Sequence, residues 1–166
     1  EPYRPVPADV VFGRSDVKLV DANGKLVAQA PTASVLFGKG ENDYLDFPGS
    51  PLNAGCSYEK WGDTVTKGAP TTSYAHIVSE AGKPGKLALQ YWFYYVFNDF
   101  NNKHESDWEM IQLMFDASSA SEALATTPVE VGFSQHSGAE KAPWSGGKPV
   151  GARRVPRPHE NDPGTQ

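Results

Sequence analysis

"LALQYWFYYVFN", residues 87–98, decides the fold. Six of its twelve residues are aromatic, and aromatic side chains fit a pleated sheet better than a helix. Side chains alternate along a strand. Tyr91, Phe93, Tyr95 and Phe97 therefore take one face, and Gln90, Trp92, Tyr94 and Val96 the other. Both faces carry rings, so the stretch reads as an internal strand covered on both sides.

Its neighbours follow the same rule. "DWEMIQLMF" (107–115) is a second internal strand, and "VEVGFSQHSG" (129–138) a third, with Val129, Val131 and Phe133 on one face. "VKLVDANGKLVAQA" (17–30) is a hairpin around Asn23-Gly24, a dipeptide suited to a type I′ turn. "SYAHIVSE" (73–80) and "PTASVLF" (31–37) are further strand candidates. Residues 38–73 are rich in Gly, Pro, Asn, Asp, Ser and Thr and read as long loops, anchored by Tyr44, Phe47, Tyr58 and Trp61. "DASSASEALATTP" (116–128) is the one helix candidate. The expected fold is β-dominated: an antiparallel β-sandwich with long loops and at most one or two short helices. One domain is expected over 1–138, with a loop or flexible tail over 139–166.

Composition supports an ordinary globular domain. Of the 166 residues, 39% are hydrophobic and 21% charged, a balance that permits a packed core. A net charge of −5 argues against a nucleic-acid-binding surface, which needs a basic patch. No apolar run approaches the roughly 20 residues of a membrane-spanning helix. The single cysteine, Cys56, has no partner for an intrachain disulfide and reads as a small thiol.

The chemistry gathers where a loop meets the second internal strand, in "NDFNNKHESDWE" (98–109). Strict alternation puts Asp107 and Glu109 on one face, with Trp108 opposite. Two neighbouring carboxylates at a core edge need a cation or a proton. His104 and Asp99 lie close in sequence, so Asp99, His104, Asp107 and Glu109 form a candidate divalent-cation site. Oxygen-rich ligation with one imidazole favours Ca²⁺, Mg²⁺ or Mn²⁺ over Zn²⁺. A metal-free polar network is the other reading of the same acids. Glu109 and His136 are the candidate bases if the site is catalytic. Tyr44, Tyr58 and Trp61 are candidate ligand-stacking residues, with loop anchoring as their alternative role.

These segments resemble a known family. "QYWFYYVFND", "KHESDWEMIQLMF" and "VEVGFSQHSG", with the opening "EPYRPVPADVVFGRSDVKLVD", resemble the Vps62-related family. More distantly, "KHESDWE" is similar to the G-H-R-H-D-W-E heptapeptide of the necrosis- and ethylene-inducing peptide-like (Nep1-like) proteins, secreted β-sandwich cytolysins. The resemblance implies cation binding through His104, Asp107 and Glu109, with Asp99 matching an upstream acid across a short deletion. It also implies recognition of a glycan or lipid head group and an extracellular or secreted location. Lys103 replaces the motif's glycine and Glu105-Ser106 its Arg-His pair, so the second histidine is absent. The paired cysteines of the cytolysins are missing too. Family members continue into further strands, which makes a second chain or C-terminal fragment completing the sheet an expected partner. The leading expectation is thus a cation-dependent binding protein, with a metal-dependent hydrolase as the alternative.

Overall fold

The computed structural model describes residues 4–53, 56–79, 82–98, 103–135, 138–145 and 148–149. Strands dominate. β1 (Lys18–Asp21), β2 (Leu26–Gln29) and β3 (Asp43–Asp46) form an antiparallel sheet in the order β2-β1-β3. A six-stranded sheet runs β4 (Tyr74–Ser79), β5 (Lys86–Asn98), β6 (His104–Asp116), β7 (Glu130–Gln135), β8 (Gly138–Ser145) and β9 (Lys148–Pro149), each beside the next. The fold is β-dominated, antiparallel and sandwich-like, with three short α-helices among the described residues: α1 (Ala33–Leu36), α2 (Cys56–Thr66) and α3 (Ala120–Leu124).

The chain divides into two compact units. One comprises Glu1–Ala75 and Tyr91–Met110, the other His76–Gln90 and Ile111–Gln166. The first unit's core joins Val6, Val11, Val17, Phe47, Tyr58 and Val65 to Tyr94, Val96 and Phe97 of β5. Fully burying side chains of this size contributes about 1.5–3 kcal/mol each, so this cluster outweighs any single polar contact nearby. The second unit's core is Leu87, Phe115, Ala117 and Ala123, backed by Leu89 and Leu113. These strand residues are all odd-numbered, as expected of one face of an alternating pair.

The hairpin forms where expected but turns differently. Only Gly24 takes a positive φ, +75°. Gly24 N–H donates to Asp21 O, Asp21 N–H donates to Lys25 O, and the Asp21 carboxylate accepts from Asn23 and Lys25 N–H. This is a three-residue turn closed by a left-handed glycine in place of type I′: the Asp21 side chain holds Asn23 in a right-handed turn.

Three other expectations are corrected. Residues 33–36 form a helix, not a strand, after the fully buried Pro31 and extended Thr32. The segment 38–73 is not loop throughout: it holds β3 and α2. Along α2, Tyr58, Trp61 and Val65 recur at helical spacing and turn inward. β8 carries the sheet past residue 138, because Glu130 to Gln135 pair in register with Pro143 to Gly138; residues 150–166 lie outside the described residues. The helix expected within 116–128 is α3. Its start is fixed by Ser119, whose hydroxyl accepts from Glu122 N–H, while the Glu122 carboxylate accepts from Ser118 N–H.

Candidate functional site

The acidic stretch 104–109 lies inside β6 and not in a loop before it. Ser106 is the exception to its regularity, with φ +58° in the middle of a strand. A non-glycine residue there costs on the order of 1–3 kcal/mol and persists only where its surroundings hold it. Here the Ser106 hydroxyl bonds the Tyr94 hydroxyl at 3.0 Å. A left-handed residue interrupts the extended backbone on which strict alternation rests.

Glu105, Ser106 and Trp108, with Lys103 and His104, line a cleft of about 820 Å³ within the first unit. From the cleft lining, His104 reaches Asp107, with Nε2 3.6 Å from Oδ1, while its Nδ1 lies 3.3 Å from Asn98 Nδ2. Strict alternation could not foresee this arrangement, because serine carries no intrinsic preference for positive φ.

The cleft joins carboxylates to rings. Asp43, Asp46 and Glu105 line it with Tyr44, Trp108 and Lys103. Asp46 lies 3.6 Å from Lys18 Nζ, and Asp43 3.6 Å from Lys39 Nζ. Glu105 differs: its Oε1 accepts from Phe47 N–H at 3.1 Å. Burial is the largest influence on this carboxyl. Helped by the charge of Asp46 and opposed by the Phe47 amide and His104, it raises the carboxyl's pKa to about 7. Glu105 is therefore poised between donor and acceptor at neutral pH.

Trp108 is backed by Tyr94, Tyr74 and Trp92, at ring-centroid separations of 5.1, 5.6 and 6.5 Å. It nevertheless stays 44% exposed, and Tyr44 49%. A ring fixed from behind and open in front is preorganised for contact with a ligand.

The expected residues separate into groups. Tyr44 is at the cleft and open. Tyr58 is 2% exposed, so its ring cannot stack on a ligand. Trp61 is an anchor: its Nε1–H donates to Asp16 at 2.7 Å, which lowers that carboxyl's pKa, and its ring lies 4.8 Å from Phe47. Asp107 pairs with His104, and Glu109 is half-buried further along β6. Asp99 and His136 lie outside the described residues. Among the described residues, no three His, Cys, Asp or Glu side chains come together as a cation site. The His104–Asp107 pair offers two donors, fewer than a protein-held divalent ion ordinarily takes.

Glu105 and Trp108 are the residues that sequence reasoning passed over. Both were visible within the motif, one as an acid beside the expected ligands and the other as the ring facing away from them. No helix among the described residues is long and apolar enough to cross a membrane. No family model matches the chain, and neither a curated protein nor a solved structure matches it.

Proposed function

We propose that the protein is a secreted or surface-associated binding protein whose cleft takes a neutral, hydroxyl-rich ligand, a glycan or the sugar of a lipid head group. The observation that carries this reading is the union, in one cleft, of the open faces of Trp108 and Tyr44 with the carboxyl groups of Glu105, Asp43 and Asp46. Sugars present apolar C–H faces that stack on rings and hydroxyls that donate to carboxylates. Three acids against one lysine and one histidine in the lining disfavour an anionic ligand, since like charges repel.

The resemblance to the Vps62-related and Nep1-like families points the same way, toward recognition at a cell surface. A divalent cation held through His104 and Asp107 is the second reading, supported by their 3.6 Å approach. The hydrolytic alternative needs a metal-bound water beside a base, and the described residues supply no third donor for that ion.

Calorimetric titration with neutral oligosaccharides and their sulfated counterparts tests the proposal. Binding of a neutral glycan, weakened at least about tenfold by Trp108→Ala, is expected, since aromatic anchors carry most of the energy of such contacts. Preference for the sulfated set, or binding indifferent to Trp108→Ala, overturns it.

A further inference from the structure

The Asn23-Gly24 turn carries chemistry as well as shape. It is the sole Asn-Gly pair in the sequence. An asparagine side-chain amide is open to attack by the backbone nitrogen that follows it, and glycine, without a Cβ, hinders that nitrogen least. Both residues are exposed, so water can reach the product of the attack.

The turn restrains this reaction. The nucleophile, Gly24 N–H, donates to Asp21 O at 2.8 Å and cannot swing toward the Asn23 side chain while that bond holds. Asp21 Oδ1 accepts from Asn23 N–H and from Lys25 N–H, each at 2.9 Å, and so fixes the backbone on both sides of the nucleophile. Its negative charge also opposes deprotonation of the Gly24 amide, the step that makes the nitrogen reactive.

We infer that Asn23 is a site of slow, one-way conversion to isoaspartate, and that the Asp21 carboxylate sets its rate. In the reaction Gly24 N gives up its proton and bonds to Asn23 Cγ, and the side-chain nitrogen takes up a proton and leaves as ammonia. Water then opens the cyclic imide at either carbonyl. One opening gives aspartate. The other gives isoaspartate, which routes the main chain through the former side chain and lengthens it by one carbon. The lengthened chain no longer fits the turn in which Asp21 N–H donates to Lys25 O. The misfit falls on β1 and β2, and β1 carries the buried Leu19 and Val20. The inference does not depend on the glycan reading.

The test incubates the full chain near neutral pH for several weeks, folded and in urea, and follows isoaspartate at position 23 by mass spectrometry. The folded parent should convert at least about tenfold more slowly than the unfolded chain, and Asp21→Ala, shown to be folded by tryptophan emission, about tenfold faster than the parent. These factors correspond to the loss of one or two hydrogen bonds of ordinary net strength. Asp21→Asn, whose side-chain oxygen can still accept, should stay closer to the parent. Equal rates for folded and unfolded parent, or an Asp21→Ala rate equal to the parent's, overturn the inference. The isoaspartate form, isolated by chromatography, should unfold at a lower urea midpoint. An unchanged midpoint overturns the link between the modification and the sheet.

Discussion

Glu105→Gln changes one atom in a carboxyl group that sits between strand and cleft, and its effect on stability should depend on pH. The folded value is about 7 against an ordinary 4.5. Between those values the folded protein binds more protons than the unfolded chain, so stability falls as pH rises through this window and levels off above it. At about 1.4 kcal/mol per pH unit, ionising a fully buried Glu105 would cost about 3 kcal/mol. The cleft is open to water, and solvent screening reduces this to about 1–2 kcal/mol. Glutamine never ionises, and its amide oxygen can still accept from Phe47 N–H. The variant should therefore match the parent near pH 4 and exceed it by about 1–2 kcal/mol near pH 8, or about 3–6 °C in Tm for a chain of this size. Urea unfolding at four pH values, followed by tryptophan emission, gives the difference curve. A curve flat from pH 5 to 8, or a variant less stable than the parent at pH 8, refutes the reasoning.

Other perturbations have equally definite outcomes. Gly49→Ala places a Cβ against Tyr58 in a backbone conformation that disfavours side chains; denaturant midpoints should show a loss of about 2–4 kcal/mol. Ser119→Ala removes the hydroxyl that caps α3 and should cost about 1 kcal/mol in the same assay. The cation reading of the His104–Asp107 pair predicts that Ca²⁺, Mg²⁺ or Mn²⁺ raises Tm, that EDTA reverses the rise, and that Asp107→Asn abolishes it while Lys103→Gly preserves it; superimposable melts with EDTA and with each ion remove that reading.

The two long strands were legible because alternation is a geometric necessity. β5 and β6 fall within a few residues of where their rings and apolar side chains put them. α2 escaped because Gly62 and two threonines weaken its helical propensity and the flanking sequence is turn-like, although Tyr58, Trp61 and Val65 already had helical spacing. The acid motif was found, but its facing was not. His104, Glu105 and Ser106 line the cleft as neighbours, against strict alternation, around a left-handed Ser106 whose hydroxyl bonds Tyr94. Long-range partners such as Phe47 N–H for Glu105 lie 58 positions apart and leave no local trace in the chain.

The indole N–H signals of the four tryptophans offer the most direct measurement of whether the cleft is the binding site. Adding a neutral oligosaccharide to uniformly ¹⁵N-labelled protein should shift the Trp108 signal progressively and leave Trp61, bonded to Asp16, in place. Movement of Trp61 or Trp144 with Trp108 fixed would contradict the assignment, because neither of those rings lines the cleft.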